Sequence, residues 1–216
     1  RDLLVVGQIG LSVILLIGAG LMMRSFLCLH GVDPGFQSAD LLTAKIALPT
    51  ARYDTDEKKF VFFRELLFRA EHLPGVRASA IAMSLPTTTW IRTNYWVEGK
   101  PSSDVGEPST NAVIESVTPG YFQALKIPLK RGREFTARDN KPGAPPVMII
   151  NETLARLLWP NYHGGENPVG QRIKEGYDKA AGWMEVVGIV ADIHEGGLAN
   201  NPVPEFYIPC VVHPPQ

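Results

Sequence analysis

The sequence predicts a mixed α+β (α/β) protein: one N-terminal transmembrane helix followed by a domain of short helices and strands. Three observations predict it. Leu3 to Met23 run 21 residues without a charge and are closed by Arg24. Residues 54–73 carry apolar side chains at helical spacing, and beyond them short apolar runs recur between Gly- and Pro-rich stretches, which is the pattern of strands.

At 1.5 Å per residue, 21 helical residues span roughly 30 Å, the thickness of a bilayer's hydrocarbon core. Gln8 and Ser12 are the only polar side chains in that run, and a helix can satisfy such groups on its own backbone. A cleaved signal peptide fits poorly, because its apolar region is shorter and no basic stretch comes first. With Arg1 at its start, the chain reads as a fragment of a longer protein.

Residues 24–40 form a connector in which Asp33-Pro34-Gly35-Phe36 carries a type II turn signal. Leu41–Leu48 reads as a strand ended by Pro49. Asp54, with Glu57 three residues on, predicts a capped helix. Its apolar face is Phe60, Phe63, Leu66, Leu67, Ala70 and Leu73, and Pro74-Gly75 stops it. Val76–Met83 reads as the next strand, giving a βαβ-like unit.

Further strands are expected at Tyr95–Glu98, Asn111–Val117, Val147–Ile150, Val169–Lys174, Met184–Ile193 and Phe206–Ile208, with a turn or short strand at 131–135. Thr118-Pro119-Gly120 predicts a short helix through Leu125, with proline at its first position. Asn151 predicts an N-cap for a helix over Glu152–Leu158. The Ser/Pro-rich stretch 99–109 is the best internal boundary.

Composition narrows the function. With 21 basic and 22 acidic residues there is no basic stripe, so nucleic acid is not an expected partner. Cys28 and Cys210 are too few and too far apart for a disulfide framework. No P-loop spacing occurs, so the chain is not expected to hydrolyse nucleotide itself. The five histidines include no i,i+4 pair, and no zinc motif is present. A G-x-S-x-G elbow is also missing. Catalytic, cofactor-binding and metal-binding residues are therefore all expected to be absent. The densest polar cluster is Asp192, His194 and Glu195, which reads as a strand end in a solvated turn rather than an acid/base or metal site. Trp90, Tyr95 and Trp96 make an aromatic cluster, read as core packing ahead of a contact surface.

Several segments taken in order carry a resemblance. They are LLIGAGLMMRSF, DPGF, LLTAKIALPTARYDTDEKKFVFFRELLFRAEHLPGV, VTPGYFQALKIPLKRGREF, PPVMIINETLARLLWPN, NPVGQRIK and WMEVVGIVADI. Together they resemble the MacB-like periplasmic core domain of MacB/FtsX-type ABC-transporter permeases, especially the duplicated orphan permeases of acidobacteria. The resemblance implies a transmembrane helix over 1–26 and a connector over 27–40. It further implies a porter-like lobe from 41–99 with 191–216 and a smaller inserted lobe over 100–190. It implies a bacterial inner-membrane protein whose soluble domain lies in the periplasm. Its partners would be the lipid bilayer, a second permease in a dimer, and a cytoplasmic ABC ATPase subunit reached through the rest of the permease. The domain would be non-catalytic and would follow ATP-driven movement for export or mechanotransmission. The alternative expectation is a membrane-anchored extracytoplasmic sensor or ligand-binding module.

Overall fold

The computed structural model describes residues 2–86, 91–99, 111–176, 182–194, 197 and 200–210. They fall into two compact units, divided between Pro34 and Gly35.

The first unit is essentially one helix, α1 (Asp2–His30). It runs on past Met23 and takes in Arg24 and the start of the expected connector. Val5–Cys28 has a mean hydropathy of 2.2 and is long and apolar enough to cross a membrane. Ser12 Oγ donates to the Gln8 carbonyl at 2.8 Å, so the hydroxyl is satisfied within the helix.

In the second unit, α2 (Asp56–Glu71) begins one residue later than the sequence predicts. Thr55, extended, is the cap and accepts from the Lys58 amide, while Asp54 pairs with Lys58 Nζ at 2.6 Å. Glu57 then sits one position too early for a capping box. Phe63 is the buried residue of the helix.

The two strands expected around α2 are not strands. Residues 42–48 form no regular secondary structure, and Leu42 is 95% exposed. Among the described residues no strand pairs with them, and alternation alone cannot supply a ladder partner. Of Val76–Met83, only Ala82 forms a bridge, to Val117.

The remaining strands are β1 (Ile91–Val97), β2 (Asn111–Val117), β3 (Leu129–Gly132), β4 (Val147–Asn151), β5 (Arg172–Glu175), β6 (Met184–Val190) and β7 (Glu205–Pro209). They form one sheet in the order β3-β6-β4-β7-β2-β1-β5, and β5 pairs again with β6. That pairing closes a ring of β1, β2, β7, β4, β6 and β5. β5 lies antiparallel to both its neighbours, with Tyr95 opposite Glu175 and Ile173 opposite Met184. β3 hangs from the far half of β6, outside the ring. The ring draws strands from 91–97, 111–190 and 205–209, and so from all three ranges into which the expected lobes divide the chain.

One buried cluster takes side chains from every ring strand, among them Tyr95, Ile114, Phe206, Ile150, Met184 and Ile173; it fills the inside. Helix α4 (Glu152–Leu158) adds Leu154 and Ala155, and Trp159 follows. The second cluster lies on the outer face of β2, β7, β4 and β6, under α3 (Tyr121–Leu125). Phe122 meets Tyr207 there edge to face, with ring centres 4.9 Å apart. A bulge opposite Met148/Ile149 shifts β6 by one residue. Val186 and Ile189 therefore both face inward although three apart, which keeps β6 in phase with its neighbours.

β4 runs directly into α4 through Asn151, as the sequence predicts. Asn151 Oδ1 accepts from the Leu154 amide at 2.9 Å and from the Glu205 amide at 3.1 Å. Its Nδ2 donates to the Val203 carbonyl at 2.8 Å. One fully buried side chain thus caps a helix and ties β4 to the approach to β7. The helix from Thr118 starts later than expected, at Tyr121, because the Thr118 hydroxyl is engaged with Ile81 instead.

Candidate functional site

Within the polar cluster, Asp192 anchors the start of α4. Asp192 follows β6 and sits beside the first turn of α4. Its Oδ1 accepts from the Thr153 amide at 2.8 Å, and its Oδ2 accepts from Thr153 Oγ1 at 2.9 Å and Arg156 at 2.6 Å. A carboxylate there satisfies an orphan amide and meets the positive end of the helix. His194 faces elsewhere: its Nδ1 is 2.7 Å from the Asn200 carbonyl. Glu195 lies outside the described residues. Asp192→Ala is expected to cost about 1–3 kcal/mol, since three donors lose their acceptor. A urea midpoint that falls at unchanged slope checks this.

The aromatic cluster divides by strand alternation. Tyr95 points into the ring and is buried, and burial pushes its phenol up to about 12. Trp96 points the other way and packs over Gly176. Trp90 lies outside the described residues.

Two further carboxylates, one held by local contacts and one by a contact distant in sequence, are not singled out by the sequence. Asp139 takes both arms of the Arg133 guanidinium at 2.7 and 2.9 Å, and also the Thr136 amide and hydroxyl. Burial alone would raise this carboxyl. The hydrogen bonds from Arg133 and Thr136 outweigh it and hold the group at about 2. Glu115, on β2, is in the opposite situation. Burial pushes it up to about 7, and only hydrogen bonds from Ser84 and Met83 oppose that.

A cleft of about 440 Å³ opens between the first turn of α2 and the loop before β4. Phe60, Pro142, Pro145 and Pro209 line it, with Asp56 and Lys141 among its polar residues. Its walls are largely apolar. Among the described residues no group of three His, Cys, Asp or Glu side chains could hold a metal ion. Cys28 and Cys210 are free thiols; Cys210 is buried, and burial raises its thiol to about 12. The described residues therefore offer an apolar helix, a ring-shaped sheet and an apolar cleft.

No curated protein matches the chain. Among solved structures, the extracellular domain of the noncanonical ABC-type transporter YknZ from Gram-positive bacteria is 18% identical, with a TM-score of 0.42. That match covers 67% of this chain and 60% of YknZ's. The periplasmic region of MacB from Actinobacillus actinomycetemcomitans is 20% identical, with a TM-score of 0.42, over 67% of this chain and 55% of its own. The chain thus spans less than two-thirds of either solved chain. The sequence profile of the MacB-like periplasmic core domain matches residues 9–213, nearly the full length. On that match, the chain belongs to the MacB-like periplasmic core domain family.

Proposed function

We propose that this chain is the membrane-anchored periplasmic core of an ABC-transporter permease. In this reading it does no chemistry and follows movement driven by an ATPase on a separate subunit, for export or mechanotransmission. α1 is its anchor in the bacterial inner membrane, and residues from 35 onward lie in the periplasm. The observation that carries the reading is the family match, which begins inside the uncharged run Leu3–Met23 and continues through the sheet domain. The lack of a P-loop in the sequence agrees with an ATPase elsewhere. A permease dimer and contact with lipid belong to the same proposal.

The division into two lobes is also proposed, with altered boundaries. Because strands from the ranges 41–99, 100–190 and 191–216 share one ring, the natural division is between the ring and the segment that carries α2. The chain crosses it near residues 41 and 80.

Sidedness is the direct test. Gln171 is exposed in the turn before β5. In a Cys28→Ser background, a Gln171→Cys chain in intact spheroplasts is expected to react with an impermeant thiol reagent. Labelling that needs lysis would place the domain in the cytoplasm and overturn the reading.

A further inference from the structure

The segment that returns from α2 to the sheet is strapped to β2 by backbone bonds and one acidic side chain. The Thr118 amide donates to the Ile81 carbonyl at 2.9 Å, and the Met83 amide donates to the Ser116 carbonyl at 3.0 Å. The Ile81 amide donates to Thr118 Oγ1 at 2.8 Å. Glu115 closes the strap, with Oε1 accepting from the Ser84 amide at 2.7 Å and Oε2 accepting from Ser84 Oγ at 2.5 Å. Glu115 is 4% exposed. At the start of the strap, the Ser79 hydroxyl is buried without a partner, a polar cost borne in the closed state.

A buried carboxylate is normally matched by a cation. Among the described residues, none forms an ion pair with Glu115. The groups facing it are mostly acidic or neutral. Tyr207 lies opposite on β7, and Glu205 sits two residues earlier on the same face. Cys210 follows β7, near enough for the Glu115 charge to disfavour its thiolate. Tyr121 comes from α3, and Arg92 on β1, opposite Val113, is exposed. Residues 79–86 bring no titratable side chain.

We propose that Glu115 and the strap Ile81–Ser84 form a proton-controlled latch between the α2 segment and the ring. With Glu115 protonated, both contacts to Ser84 survive: the carbonyl oxygen accepts from the amide, and the acid O–H donates to Ser84 Oγ. No charge is then buried. With Glu115 ionised, the two hydrogen bonds from Ser84 and the weaker help of the Met83 amide must hold a desolvated charge that water would hold better. Ionisation therefore favours the open strap, and the carboxyl's near-neutral position sets the pH at which this happens. The latch goes beyond the permease reading and does not depend on it, because its test uses only the chain's own amides.

Hydrogen exchange of the full chain in detergent micelles tests it, after correction for the intrinsic pH dependence of exchange. Peptides covering 79–86 are compared with a reference peptide over β4. Between about pH 5, where the carboxyl is protonated in the closed strap and starting to ionise in the open one, and about pH 8, above its closed-state range, the strap is expected to lose protection about tenfold or more, while β4 keeps its own. Glu115→Gln keeps the shape and one acceptor but cannot ionise, so its strap protection should not change with pH. If that variant fails to fold, the carboxyl ¹³C shift of Glu115 in the unmodified chain is the second measurement; it should titrate near neutral pH. An equal fall in strap and β4 would show global unfolding and overturn the latch. So would a pH-independent strap, an unchanged slope in Glu115→Gln, or a Glu115 that titrates in the ordinary carboxylate range.

Discussion

Removing residues 2–30 is expected to move the protein from the membrane pellet to the soluble fraction. The helix is apolar around its whole circumference, so no face is suited to water. Val6, Leu16 and Met22 are 67%, 78% and 77% exposed. At about 0.3–0.6 kcal/mol of insertion free energy per central Leu, Ile, Val or Phe, the twelve such residues within Leu3–Met23 outweigh the cost of Gln8 and Ser12. The Ser12 cost is already lowered by its bond to the Gln8 carbonyl. The full chain should therefore resist carbonate extraction. The truncated chain should stay folded, because residues 35–216 form their own compact unit with both buried clusters inside it. Full-length chain in the carbonate supernatant would count against an anchor. A truncated chain that aggregates would show that the sheet unit needs α1.

What could be read in the sequence was local. β4 and α4 were legible because the hydrophobic period changes at Asn151, a residue whose side chain suits a cap. β2 was legible from its own composition, to the residue. Closure of the ring was not, because β5 is a four-residue run, Arg172-Ile173-Lys174-Glu175, of which only Ile173 is apolar. Its burial comes from neighbours on both sides, β1 and β6, which the local sequence does not reveal. The strand expected at 41–48 shows the reverse case: its alternation is good, but a strand exists only with a partner. The Asp192 cluster could be seen as polar but not as an anchor. Its partners Thr153 and Arg156 lie 39 and 36 residues away. Glu115 gave no signal for the same reason: Ser84 is 31 residues distant, and burial sets its proton affinity.

The largest loss of stability from a single methyl group is expected where β3 meets β6. Gly132 and Gly188 are paired directly across the two strands. A Cβ on Gly188 would press into the Arg133 carbonyl, and a Cβ on Gly132 into the Val187 carbonyl, both far inside van der Waals contact. The obstacles are backbone atoms, which cannot rotate aside. Gly132 also has φ of +74°, where a side chain is strained in any case. Adding strain of about 1–2 kcal/mol to overpacking of about 1–3 kcal/mol, Gly132→Ala should cost about 2–5 kcal/mol. Gly188→Ala lacks the φ strain but lies in a strand with neighbours on both sides, so displacement there also disturbs β4, and a similar loss is expected. The two losses should not add. Once either methyl has pushed β3 away, the second finds room, and the double variant should fall well short of the sum. β3 would still be tethered by Arg131, whose guanidinium lies 4.5 Å over the Tyr162 ring, and by Lys130 near Glu152. Denaturation midpoints of the four chains measure this. Full additivity, or a neutral Gly188→Ala, would mean that β3 does not pack on β6 as closely as the paired glycines allow.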